Sequence, residues 1–264
     1  MDKLVLAIER RYKMKFIITC FFALFAVFNL YSQDIKALIK EADRLEAVPN
    51  ETGAFLKFKE VVSREPGNIY ALSKCSELCC RIGKRQTDLK AKEDFYKAAK
   101  AFAEVALKVD PASSDANCAM AMALGHISMS KTNKEKIASA RDLRKYVDLA
   151  IKANPNNFKA WHVLGRWHYE ISNLSMFEKA AVKLLYGGMP AASLRSSIDC
   201  FEKARSLTGP GFVINYYELA RAYKRNNEKQ KAIEVLKAML LLPNNTEADP
   251  GIKEEGKLLL AELL

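Results

Sequence analysis

The sequence predicts an all-α fold, a helical-repeat superhelix of about five helix pairs with insertions between them and a C-terminal capping helix. Three observations carry this expectation. Ala, Leu, Lys and Glu, all strong helix formers, recur along the 264 residues, while Gly (11) and Pro (8) are too scarce for a chain built on tight turns. A triplet of small, larger and small residues, spaced four and then three apart and closed by a proline, returns five times. Two-residue alternation appears only locally and is not bracketed by Gly/Asn turn pairs, so no hairpin is expected.

The chain opens on a targeting segment. Phe16–Leu30 is a 15-residue apolar run broken only by Thr19 and Asn29, preceded by basic residues and followed by Ser32. This is the layout of a secretory signal, expected to occupy residues 1–32 and to be cleaved after Ser32. Met14, directly before Lys15, offers an alternative start. A spanning helix usually needs about 20 apolar residues, so a retained membrane anchor is the second reading and export to a periplasm the first. Cys20 lacks the small preceding residues of a lipoprotein signal.

The repeat domain is expected over residues 33–264. Trp161-x2-Leu164-Gly165-x2-His168 fits the first-helix pattern of a tetratricopeptide repeat, with His where Tyr is usual. The large residue and Leu fill the space between paired helices, and Gly lets them approach. Other first helices carry Leu38, Ala42 and Leu45; Leu72, Cys75, Ser76 and Cys79; Met120, Ala121 and Leu124; and Tyr216, Leu219, Ala220 and Tyr223. Second helices carry Ala54, Phe58, Val61; Ala99, Ala103, Ala106; Leu143, Val147, Ala150; Ser197, Phe201, Ala204; and Ala232, Leu236, Met239. Their prolines, Pro66, Pro111, Pro155, Pro210 and Pro243, lie 45, 44, 55 and 33 residues apart. Against a unit of about 34 residues, insertions fall at Gly83–Lys92, Ser128–Lys136 and Ser172–Ala192. The third holds Met176, Phe177, Leu184, Leu185, Tyr186 and Met189, too apolar for a free loop, and is expected to fold back on the stack. Ile252–Leu264 caps the last apolar face. Trp161 and Leu164 are expected to be buried between helices.

Five cysteines follow the leader, Cys75, Cys79, Cys80, Cys118 and Cys200, an odd number without the spacing of a disulfide framework. A buried apolar role suits them. The sequence shows no phosphate-cradling Gly-rich loop, no His-Glu-x-x-His and no Gly-x-Ser-x-Gly. His162 and His168, six apart on one helix, face different ways and are not a ligand pair. No catalytic residue, metal site or cofactor is expected.

The formal net charge is +11. Residues 1–32 hold five basic and two acidic residues, so the remainder, with 37 basic and 29 acidic, is basic in its own right. That favours an acidic partner, or is simply a solvated surface. First helices of such repeats line a concave face. Projecting the pattern places Glu77, Cys80 and Arg81 there from the second repeat, Lys159, His162, Arg166, Tyr169 and Glu170 from the fourth, and Ile214, Tyr217, Arg221, Lys224 and Arg225 from the fifth. The ligand-binding set is therefore Arg81, Lys159, His162, Arg166, Tyr169, Tyr217, Arg221, Lys224 and Arg225. Guanidinium groups can fork onto carboxylate or phosphate, and Arg166 and Arg221 hold the positions where chaperone-binding repeats carry a clamp of Asn.

Several segments resemble the regulator of microtubule dynamics family, a divergent tetratricopeptide group. These are Thr132–Lys136 (TNKEK) before a helix ending Ile151–Pro155 (IKANP), Leu164–Ser175 (LGRWHYEISNLS) with Phe177-Glu178-Lys179, and Leu185–Pro190 (LYGGMP). Ile198–Ala204 (IDCFEKA) and Leu242–Pro250 (LPNNTEADP) follow in the same order. The resemblance runs over about residues 34–264 and implies an all-helical fold without catalytic activity. It also implies, for eukaryotic members, association with microtubules, spindle poles and organelle contact sites, an amino-terminal membrane anchor in some, and phospholipid binding in one type. This chain departs in its short, leader-like amino terminus, which points to an exported, bacterial-type relative. The expected function is a non-enzymatic scaffold that engages a protein or peptide partner through its concave face. Anionic phospholipid in the groove and a microtubule-associated role are the alternatives; nucleic acid is not expected, because aromatics do not interleave with the basic residues.

Overall fold

A computed structural model describes residues 33–128 and 133–264; the segment assigned above as a leader, and part of the second insertion, lie outside the described residues. Among the described residues the chain forms twelve helices and no strand. They are α1 (33–47), α2 (Glu51–Arg64), α3 (Ile69–Arg85), α4 (Leu89–Val109), α5 (Ser114–Ser128), α6 (Asn133–Ala153), α7 (Phe158–Ser172), α8 (Met176–Tyr186), α9 (Leu194–Thr208), α10 (Val213–Arg225), α11 (Lys229–Leu240) and α12 (Asp249–Leu263). The pairs are α1–α2, which share the core cluster of Ile35, Ala42, Ala54, Phe58 and Val61, and α3–α4, α5–α6, α7–α9 and α10–α11, with α8 inserted in the fourth pair and α12 packed on α10 and α11.

Local chemistry sets the boundaries. Pro66, Pro111 and Pro155 each follow the end of a helix, and two residues later a polar side chain starts the next. Asn68 and Asn157 accept from the N–H groups of Ala71 (2.9 Å) and Ala160 (3.1 Å), and Ser113 does the same for Ala116 (3.3 Å). A carboxamide or hydroxyl oxygen there satisfies an N–H that the helix itself leaves open. The turn from α10 to α11 places Asn227 at φ 61°, with the Glu228 N–H reaching back to the Tyr223 carbonyl (2.9 Å), a left-handed helix stop.

The second-helix triplets form the spine of the core. Of their fifteen residues, all but Leu143 have essentially no exposed surface. The small members let the helices approach: a Cβ on Gly165 would lie 2.7 Å from Cδ1 of Phe201, and the Ser197 hydroxyl donates to the Gly165 carbonyl at 2.8 Å. Leu164 is buried as expected, whereas Trp161 is only half-buried, its indole N–H on the Pro155 carbonyl. The deep indole is Trp167, which donates to the Ala140 carbonyl (2.8 Å) under the Arg144 guanidinium. Among the described residues, the five cysteines are buried thiols without a disulfide.

The insertions are absorbed in two ways. The first two lengthen helices: α4 and α6 reach 21 residues, against 14 in α2. The third forms α8. Its following turn packs Met189 and Ala192 against the core around Trp167, whereas most described side chains of the helix itself are exposed and do not fold back on the stack. Val182 is buried, while Met176, Phe177 and Leu184 stand in solvent.

The ends of the superhelix meet. Glu247, in the loop before α12, accepts from the Glu51 N–H at the first turn of α2 (2.7 Å) and pairs with Arg85 at the end of α3 (2.9 Å). A carboxylate at a helix N-terminus also faces the positive end of the helix dipole.

Candidate functional site

The inner face divides into two parts. In the first half, the cations predicted to bind ligand are taken up internally. Arg81 on α3 is held by Glu46 and Glu51, and Lys159 on α7 reaches across to Glu77 on α3 at 2.5 Å. Burial works against the charge of Glu46, but Arg81 and Lys74 outweigh it and hold its carboxyl at about 2. Cys80, projected onto this face, is packed in the core beside Cys79 and Ala99.

His162 closes this half. Asn215 on α10 uses its side-chain N–H on the Phe201 carbonyl (2.9 Å), which turns its oxygen toward His162. The imidazole therefore donates from Nδ1 (3.0 Å) and packs against the rings of Phe201 and Phe212. Burial pushes His162 and His126, stacked on Tyr96, down from 6.5 to about 4. Both are neutral in the folded protein and protonate near 6.5 once unfolded. The unfolded chain then binds more protons, so stability falls as pH drops from about 6.5 to about 4. Glu46 adds loss in the same direction between 4.5 and about 2. The melting temperature should decline from neutral pH downward, and His126→Gln with His162→Gln should flatten the limb between pH 6.5 and 4. An unchanged limb would show that these imidazoles are not buried in the folded state.

The second half is open. A cavity of about 470 Å³ lies between α7, α10 and α12, lined by Tyr169, Tyr217, Arg221, Lys224, Arg225, Asn227 and Leu259. Five of these belong to the predicted set. They meet because α10 presents Tyr217, Arg221, Lys224 and Arg225 at spacings of three and four, one face of a helix. Arg221 and Arg225 both stack on the Tyr169 ring, with guanidinium carbons 5.1 and 4.9 Å from its centre.

The partners of these cations differ. Arg166 and Arg221 do lie side by side, but they grip the same internal anion: Glu218, almost fully buried, accepts from Arg166 at 2.6 Å and from Arg221 at 2.9 Å. Lys224 pairs with Glu262 at 2.6 Å. Arg225 donates to the neutral carbonyl of Tyr169 (2.9 Å), and among the described residues it has no carboxylate partner. Burial first, then the nearby Glu255 carboxylate, holds the Tyr217 hydroxyl above its ordinary range, so it stays a neutral donor. Glu218, Asn215, Asn227 and Leu259 were not foreseen. Glu218 is one turn before Arg221 on a helix predicted to face inward, which is the signal that could have found it.

Comparison with known proteins agrees with this architecture. The residue pattern of the family described as Regulator of microtubule dynamics protein 1-3 matches residues 38–264. The human regulator of microtubule dynamics protein 2 is 26% identical over 209 residues, 79% of this chain and 48% of that protein. Protein 3 of Xenopus laevis is 30% identical over 163 residues, 61% and 35% of the two chains. Protein 1 of Caenorhabditis elegans is 30% identical over 155 residues, 59% and 68%. The chain thus spans about half or less of the two vertebrate relatives. Among solved structures, a thermophilic TPR protein of Thermus thermophilus superposes with a TM-score of 0.59 at 11% identity, over 87% of this chain and 98% of that one, a likeness of fold alone. With the all-helical repeat fold and the match over residues 38–264 together, the chain belongs to the regulator of microtubule dynamics protein 1-3 family.

Proposed function

We propose that the chain is a non-enzymatic scaffold that takes an acidic segment of a protein partner into the concavity between α7, α10 and α12. The observation that supports this most is Arg225, a guanidinium on the cavity wall, braced on Tyr169 and without a carboxylate among the described residues. Arg221 adds a second fork, and Leu259 an apolar floor for the stem of a Glu or Asp side chain. The repeat fold supports a binding role, because an inner face built from successive helices presents side chains in a row.

The test uses a fluorescein-labelled peptide of alternating Glu and Leu as a probe, with a Lys/Leu peptide as control. Charge-assisted hydrogen bonds contribute about 1.5–3 kcal/mol each, so Arg221→Ala with Arg225→Ala should weaken binding of the acidic probe about a hundredfold or more, with the melting curve preserved. Equal binding by the double variant would remove the cavity from the account. A microtubule-associated role is a second reading, favoured by the family match; co-sedimentation with polymerised tubulin, reduced by the same double variant, would identify tubulin as the acidic partner.

A further inference from the structure

α8 is amphipathic, yet its apolar stripe faces away from the protein. Met176, Phe177 and Leu184 are 85, 89 and 86% exposed, whereas Val182, on the other side of the same helix, is 3% exposed. At about 100° per residue, Phe177, Ala180 and Leu184 fall on one line, and Ala180 is exposed as well. The helix is well built at both ends. Ser175 and Glu178 form a full capping box, and Gly187 stops the helix in the left-handed conformation at φ 72°. The outward stripe is therefore a defined surface. Exposed Lys179 and Lys183 flank it one turn apart, and exposed Lys145 on α6 lines the shallow groove beside the turn that follows the helix.

We propose that this face of α8 docks on the surface of an anionic lipid bilayer. A helix with large apolar side chains on one side and lysines along the flank suits the interface between headgroups and acyl chains. Phe177, Met176 and Leu184 enter the acyl boundary while Lys179 and Lys183 stay among the phosphates, which attract them. A bilayer needs no matching groove, and so fits a convex ridge. A second copy of the chain fits poorly: a stable dimer buries about 800 Å² per partner, and an 11-residue helix with three or four protruding apolar side chains offers far less. The proposal does not rest on the concave-face reading, since α8 takes no part in the cavity between α7, α10 and α12.

The test uses the full chain carrying Phe177→Trp, read as the difference in emission from the parent chain, whose two tryptophans are common to both. Phe177 is almost fully exposed, so the substitution leaves the fold intact, which circular dichroism checks. Vesicles of phosphatidylcholine and phosphatidylserine with brominated acyl chains should shift the added emission to the blue and quench it. Pure phosphatidylcholine should do so only weakly. Lys179→Ala and Lys183→Ala should each raise the vesicle concentration for half-quenching about fivefold. Emission that stays unshifted and unquenched overturns the proposal, as does equal quenching by pure phosphatidylcholine. A blue shift without vesicles that disappears on dilution also overturns it, because a second copy would then cover the face. Reading position 177 isolates α8 from any contribution of the apolar segment Phe16–Leu30.

Discussion

Phe201→Ala should lower the free energy of unfolding by about 3–5 kcal/mol, the usual range for a fully buried aromatic. Phe201 has no exposed surface and lies where the fourth and fifth repeats meet. Its ring packs on Gly165 across the α7–α9 pair and against His162, and its carbonyl anchors Asn215. Removing it opens a cavity beneath the inner face, so urea titration should show the loss together with a weakened His162 environment. Gly165→Ala probes the same contact from the other side. Its Cβ would press on Cδ1 of Phe201 at 2.7 Å, and overpacking of this type costs about 1–3 kcal/mol. Trp161→Ala should cost less than Phe201→Ala, because Trp161 keeps part of its surface in solvent. The reverse order would mean that the repeats pack in another register.

Glu218→Ala should destabilise the fold by about 2–3 kcal/mol. Breaking a fully buried ion pair typically costs about 3–5 kcal/mol, because it leaves a charge without a partner. Here Arg166 and Arg221 each keep 36% of their side-chain surface exposed, so water takes over part of the lost interaction. The same carboxylate competes with any ligand for these guanidinium groups. Glu218→Gln keeps the shape and removes the charge, and should therefore lower stability while raising affinity for the acidic probe peptide about tenfold. Calorimetric titration alongside denaturation measures both. Affinity that falls with stability would show that Glu218 supports the site and does not compete for it.

The spine of the fold was legible because it is periodic. Ala54, Phe58 and Val61, and their four counterparts, announce buried faces by spacing alone, and the prolines mark the helix ends. Other features depend on contacts that spacing does not encode. Glu247 reaches Glu51 across 196 residues, and Arg81 and Lys159 meet the carboxylates of Glu46, Glu51 and Glu77 on other helices. Tyr217, Arg221, Lys224 and Arg225 come together on one cavity wall because they share one face of one helix. On α8, spacing shows that an apolar stripe exists but not which way it faces. Trp167 outranks Trp161 in depth because α6 supplies the Ala140 carbonyl and Arg144, which the repeat motif does not specify.

A photo-crosslinking amino acid at Tyr217, on the cavity wall, measures directly what the concavity holds in the cell of origin. Position 56 on α2, where Leu56 is 58% exposed, serves as the control. The account predicts a dominant adduct from position 217, with the crosslink mapped to an acidic stretch of the partner. That adduct should be absent from position 56 and lost in the Arg221→Ala, Arg225→Ala chain. The same adducts from both positions, or an adduct that survives the double substitution, would contradict it.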